Sequence, residues 1–296
     1  MSTMQLIKAL AIPRKGLKPG ETIPRLSATQ KAVRAEAGRL SQYRALCGFR
    51  DDGLLPATYP QLLAGDLHIG LLADRAFPLP VAGIVHVENR IVEHRSLPED
   101  GLWDIEVCIE GHREDGRGLL FDIETRMTRG TACVWEATTT VLSRPRGKAA
   151  AKPKGEKPAA PSGPAEAPVP ETPPLRSALF KLPENLGRRF SVLAGDYNPI
   201  HLSALTAKPF GFKRAIIHGM WSLARVLGEI GDDLPALAQG ARETRVKFER
   251  PVFLPSTVHL SATRVAGADT GGEIAFALTS PDLKTRHLRG SVGRQS

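Results

Sequence analysis

Cysteine is scarce in this 296-residue chain, and Cys47, Cys108 and Cys133 stand far apart and odd in number. That excludes a disulfide framework and the close spacing of a zinc motif, and it suits a reducing cytoplasm. No metal is expected. Long apolar runs are missing too: Leu6 to Pro13 is too short for a secretory core, and nothing later approaches the roughly eighteen apolar residues of a membrane span. Aromatic residues are few, with three tyrosines and three tryptophans. The net charge of +9 therefore comes without the aromatic interleaving or motif of a nucleic-acid protein, and no nucleic acid is expected as partner. What is present is a globular balance, 42% hydrophobic and 24% charged, in a chain long enough for two cores.

Proline marks the division. From Pro145 to Pro174 nine prolines stand among alanine, lysine and glutamate, a composition with missing backbone donors and no apolar face. We expect a first domain at 1–144, a connector at 145–174 and a second domain at 175–296. Part of the positive charge lies in this connector, where Arg144 to Lys157 holds six Lys or Arg against one Glu. A solubilising tether is the plain reading; attraction of an acidic partner is the functional one.

The flanking halves carry traces of one plan. Tyr43, Leu46 and Gly48 have the spacing of Phe190, Leu193 and Gly195, and Arg95 to Pro98 precedes Trp103, Ile105 and Val107 much as Arg250 to Pro255 precedes Val258 and Leu260. Each half also has an apolar helix pattern: Leu62, Leu63, Leu67, Leu71 and Leu72 in one, Met220, Leu223, Ala224, Leu227 and Ile230 in the other. Period-two stretches follow, at Leu119, Phe121 and Ile123, at Thr244, Val246 and Phe248, and at Ile274, Phe276 and Leu278. An α+β fold, with a curved antiparallel sheet wrapped around central helices, meets both needs.

The chemistry concentrates in Gly195-Asp196-Tyr197-Asn198-Pro199-Ile200-His201. Glycine and Asn-Pro make a rigid turn, across which a carboxylate and an imidazole can be aimed at one point; in a strand the same pair would face apart. By itself such a turn is more often a surface loop. The next segment, Ala215 to Met220, adds a helix start at Gly219, where a backbone amide at the positive end of a helix can hold an oxyanion and no Cβ obstructs a carbonyl.

Taken in order, Gly195 to His201, Pro209 to Phe212, His218 to Met220 and Lys247 to Pro255 resemble the MaoC-like, or type 2, enoyl-thioester hydratases. The first half is similar to the N-terminal hotdog of two-hotdog members at Thr58 to Pro60, Phe77 to Pro78 and Ile84 to Asn89. The resemblance implies a double hotdog and a hydro-lyase that reversibly dehydrates (R)-3-hydroxyacyl thioesters, of coenzyme A or acyl carrier protein, to trans-2-enoyl thioesters in fatty-acid metabolism, without a cofactor. It implies Asp196 and His201 as the catalytic pair, Gly219 as oxyanion donor, and Asn198 and His218 as support. A serine found on the central helix of some relatives falls at Leu227. After Gly48 the first half reads Phe49-Arg50-Asp51-Asp52, so its own active site is expected to be lost. Asp66 and His68, inside the leucine helix, are set aside as a decoy, and His86 is read as a buried or strand-end histidine without a catalytic part. Apolar first-half residues, Leu71 and Phe77 among them, are expected to set acyl-chain length. A thioesterase of the same fold, or a non-catalytic acyl-thioester binding module, is the alternative. Two hotdogs in one chain allow a monomer or a homodimer.

Overall fold

The computed structural model describes residues 14, 16–81, 84–143, 174–237, 240–265 and 272–295. Apart from Pro174, the connector and its basic stretch lie outside the described residues. The first half comprises β1 (Leu26–Val33), α1 (Ala37–Cys47), α2 (Tyr59–Leu63), α3 (Gly65–Ala73), β2 (Val85–Glu93), β3 (Trp103–Ile109), β4 (Arg113–Asp115), β5 (Gly118–Arg129) and β6 (Ala132–Ser143). The second comprises β7 (Arg176–Leu182), α4 (Leu186–Ala194), a 3-10 turn (Pro199–His201), α5 (Ala204–Ala207), α6 (Gly219–Glu229), β8 (Arg242–Phe248), β9 (Ser256–Arg264), β10 (Ile274–Thr279) and β11 (Arg286–Arg294).

The strands form one antiparallel sheet in the order β1-β3-β5-β6-β2-β8-β11-β10-β9-β7, with the short β4 added beside β5. With β4 set aside, each half read from its outer edge runs first strand, third, fourth, fifth, second. The identical order is the structural imprint of the repeat seen in the sequence. The halves join where β2 pairs with β8, from Glu88 opposite Lys247 to Glu93 opposite Arg242. Across this seam the Arg242 guanidinium donates twice to the buried Glu93 carboxylate, at 2.7 and 2.8 Å.

Alternation explains the strands. On β3, Trp103, Ile105, Val107 and Ile109 are buried while the residues between them face outward, and Ile274, Phe276 and Leu278 do the same on β10. Each such side chain contributes about 1.5–3 kcal/mol of burial. The repeated aromatic–leucine–glycine pattern also has a physical meaning. Gly48 ends α1 and Gly195 ends α4 in the left-handed region, at φ 80° and 72°, which any other residue adopts at a cost. The matching rings, Tyr43 and Phe190, meet between the halves with centroids 6.2 Å apart.

The leucine pattern at 61–74 resolves into two helices, α2 and α3, meeting at Ala64. Among the described residues no helix is long and apolar enough to cross a membrane.

Candidate active site

Gly195 stops α4 by directing its N–H to the Ser191 carbonyl at 2.8 Å, and the chain turns at once. Asp196 Oδ1 accepts the Asn198 N–H at 3.0 Å, and Asn198 Oδ1 accepts that of Ile200 at 3.4 Å, so two side chains brace the turn from inside. Pro199 opens the 3-10 turn that presents His201. That presentation depends on Gly187 of α4, where a Cβ would stand 2.2 Å from the His201 carbonyl oxygen.

His201 is buried, and its Nδ1 lies 2.8 Å from the Ile216 carbonyl. A carbonyl only accepts, so Nδ1 carries the proton and Nε2 keeps a lone pair. The His218 ring stacks on it, centroids 3.6 Å apart at 22°, with Phe190 4.9 Å away from His218. By the same reasoning His218 Nε2 is protonated, because it donates to the Asp196 carbonyl at 3.2 Å; it also stands 3.8 Å from the Asp196 carboxylate. One ligating atom each of Asp196, His201 and His218 lie within 4.8 Å of one another. His218 precedes α6, which no side chain caps, and Gly219 opens that helix beside the cavity.

Burial sets the charges. It lowers the basicity of His201 below the usual imidazole range, and it pushes His218 down to about 3, with neighbouring His201 adding to the effect. For Asp196 burial acts upward, but His218, His201, the Asn198 amide and His86 outweigh it and hold the carboxyl below its ordinary value. At neutral pH the cluster is therefore one carboxylate and two neutral imidazoles. The Asp196 side chain retains 43% of its accessible surface and opens into a cavity of about 370 Å³ that Asn198, His201, His218 and Gly219 also line.

The MaoC like domain family matches residues 165–282. The 3-hydroxyacyl-thioester dehydratase X of Mycobacterium tuberculosis is 31% identical over 265 residues, which cover 90% of this chain and 87% of that protein. The chain belongs to the MaoC-like dehydratase family. An (R)-specific enoyl-CoA hydratase of Aeromonas caviae is 33% identical over 69 residues, 23% of this chain and 52% of that one. The crystal structure of HtdX of Mycobacterium tuberculosis superposes with a TM-score of 0.72 at 27% identity, over 90% of this chain and 99% of the other. The double hotdog is thus shown both by strand order and by likeness.

In this MaoC-like chain the structure gathers Asp196, Asn198, His201, His218 and Gly219 at one cavity, as the motif suggested. It also brings in residues the sequence reading set aside. His86, half-buried near the start of β2, lines the cavity, and its ring lies 4.9 Å from that of Phe248. Phe248 in turn presses on Gly219, where a Cβ would stand 3.0 Å from the ring. A side chain at 219 would therefore have to displace the Phe248 ring by a few tenths of an ångström. His68 also lines the cavity and bonds the Thr125 hydroxyl at 2.7 Å. Burial pushes both His68 and His86 down to about 4.

Two expectations need correction. Leu71 and Phe77 do not border this cavity: Leu71 is in the core, and Phe77 packs on Phe121 with centroids 5.3 Å apart. Leu62, Ile69 and Leu72 form the apolar wall instead. Leu227 is buried and borders a different cavity, of about 540 Å³, while Ser222 lines the first one with Oγ 3.4 Å from the His218 carbonyl. Ser222 stands one turn beyond Gly219 and so on its face of α6, which is the signal that could have found it. This second cavity takes in Gly48, Phe49, Arg50 and Asp52, and among the described residues no histidine lines it.

Proposed function

We propose that this chain is a hydro-lyase that reversibly removes water from (R)-3-hydroxyacyl thioesters to give trans-2-enoyl thioesters. The observation that carries the reading is the pairing, at one cavity and beside the uncapped start of α6, of an ionised Asp196 with a neutral His201 whose Nε2 lone pair is unused.

The α-proton of a thioester is too weakly acidic for an imidazole unless the developing enolate is held. The Gly219 N–H, at the positive end of α6, is the group placed to hold the thioester oxygen; such a donor is typically worth a hundredfold or more in rate. His201 Nε2 then takes the proton from C2, and Asp196 stabilises the imidazolium that forms. With no acid at the site in the resting state, the proton leaving C2 is the one that His201 returns to the C3 oxygen. The C2–H and C3–O bonds break, the C2–C3 double bond forms, and the hydroxyl departs as water with both side chains restored. Asp196, accepting from the 3-hydroxyl, orients it. In hydration the same pair holds the incoming water. The carrier arm, of coenzyme A or acyl carrier protein, would approach past Arg117, Arg250 and His287, which also line the cavity.

The test is hydration of crotonyl-CoA and longer trans-2-enoyl-CoA substrates, followed by loss of conjugated-thioester absorbance and chiral analysis of the product. The (R) alcohol is expected. Asp196→Asn and His201→Ala should each lower turnover by about a hundredfold or more while leaving the fold intact. Near-wild-type rates in both variants, or release of free thiol with no hydration, would end the assignment.

A further inference from the structure

Away from the active site, a second group of metal-ligating side chains comes together among the described residues. His94, Cys133 and Glu136 each place one ligand atom within 4.8 Å of the others. A break in strand register assembles them. Met127 of β5 opposes Trp135 and Thr128 opposes Cys133, so Val134 is an extra residue on β6 with nothing opposite it. In a regular strand Cys133 and Glu136, three positions apart, would face opposite ways. The bulge instead turns both Val134 and Trp135 inward, 1% and 0% exposed, and returns Cys133 to the outer face beside Glu136. His94 comes from the end of the neighbouring strand, β2. Its N–H donates to the Val134 carbonyl at 3.0 Å, and because Glu93 before it points inward to Arg242, the imidazole stands on the outer face as well.

The distances suit a small cation. A tetrahedral ion with bonds of about 2.0–2.3 Å holds its ligand atoms about 3.3–3.8 Å apart. His94 Nε2 lies 3.6 Å from Glu136 Oε1, and Cys133 Sγ lies 3.9 Å from Glu136 Oε2, so these two pairs are already near that spacing. The thiol has only weak contacts to give up, this one and the Trp135 carbonyl at 3.6 Å. The side chains of His94 and Glu136 keep 30% and 28% of their surface, which leaves a way in for an ion and room for water at a fourth position. Arg126 opposes a cation here, 3.8 Å from Glu136 Oε2, but its side chain is 61% exposed and free to turn into solvent. A thiolate, an imidazole and a carboxylate form a donor set that zinc accepts, whereas magnesium and calcium take oxygen ligands.

We propose that His94, Cys133 and Glu136 form a zinc-binding site that clasps the end of β2 to β6. Binding replaces the thiol proton, which passes to solvent, and makes the Cys133 sulfur a ligand. The cavity borders β2 at Val85 to Val87, and the strand carries His94 roughly 25 Å beyond His86, so the ion supports the fold and takes no part in the reaction. The proposal is independent of the hydro-lyase reading. The experiment titrates the full-length protein with Co2+, whose bond to a thiolate gives a charge-transfer absorption, and follows urea denaturation with and without Zn2+. The wild type should show a sulfur-to-cobalt band that saturates at a single ion per chain and is displaced by Zn2+. Cys133→Ala should lose the band, and His94→Gln and Glu136→Gln should each bind at least about tenfold more weakly. Zn2+ should raise the urea midpoint of the wild type and not that of Cys133→Ala. The cluster of Asp196, His201 and His218 holds no sulfur, and Cys133→Ala keeps Cys47 and Cys108, so the loss of the band reports this site alone. No band in the wild type, or a band that survives Cys133→Ala, overturns the site. So does unchanged affinity in both His94→Gln and Glu136→Gln, which would mean adventitious binding by the thiol. A midpoint that Zn2+ moves equally in wild type and Cys133→Ala, or in neither, overturns the clasp.

Discussion

Gly187→Ala tests whether the position of His201 is set by the backbone. The new Cβ would stand 2.2 Å from the His201 carbonyl oxygen, whereas ordinary contact begins near 3.4 Å, so helix or turn must move by about 1.2 Å. The turn is the part able to move, because α4 is packed through Leu186, Phe190 and Leu193. A shift of that size pulls His201 Nδ1 from the Ile216 carbonyl, now 2.8 Å away, and turns Nε2 off its line. A misplacement of about 1 Å costs on the order of a hundredfold in rate, while overpacking costs about 1–3 kcal/mol in stability. Gly228→Ala is the control: its Cβ would stand 2.6 Å from the Cys47 carbonyl oxygen, at the far end of α6 from Gly219. Enoyl-CoA hydration and urea denaturation measured on both variants should show similar losses of stability but a fall in kcat for Gly187→Ala alone. A Gly187→Ala enzyme within threefold of wild-type kcat, or an equal fall in both variants, would refute the reasoning.

Acid should weaken the fold through its half-buried, cavity-lining histidines. His68 and His86 take a proton near pH 6.5 when unfolded but only near 4 when folded, so each removes about 1.4 kcal/mol of stability per pH unit as pH falls from about 6.5 towards 4. Urea midpoints at pH 7, 6 and 5 should decline accordingly, and His68→Gln should flatten the slope; a flat wild-type series contradicts this. At the seam, Glu93→Ala leaves Arg242 largely buried with only the Pro235 carbonyl as acceptor, and should cost about 3 kcal/mol by thermal or chemical denaturation, whereas Glu93→Met with Arg242→Met should regain most of it. A loss under about 1 kcal/mol for Glu93→Ala would mean that this ion pair does not fasten the halves.

What the sequence disclosed was whatever local chemistry dictates. The αL glycines 48 and 195, the Asn-Pro turn and the helix starting at Gly219 are each fixed by a few neighbouring residues, and all stand where the sequence suggested. The period-two burial of β3 and β10 is equally local. Contacts between the halves were not legible in this way. His86 belongs to a strand whose burial pattern is ordinary, and only the pairing of β2 with β8 sets it against Phe248. The leucine helix showed an apolar face but not which flank borders the cavity, and adjacent positions on a helix point about 100° apart. Hence Leu72 lines the cavity while Leu71 does not. Gly187 carried no sequence signal at all, because its reason is a carbonyl oxygen from a different turn.

The asymmetry of the two halves follows from how they share the sheet. With β2 and β8 paired at its middle, the cavity beside α6 takes its far wall from α2, α3, β2 and β6, so the active half needs the other one as a surface. The first half, which reads Phe49-Arg50-Asp51-Asp52 after Gly48, can therefore do without that turn and still supply the wall beside Asp196 and His201. That requirement is specific: His86 backs Phe248, Phe248 backs Gly219, and the Gly219 amide is the proposed oxyanion donor. The first half is thus free to change the rest of its wall, but not the contact that keeps Phe248 in place.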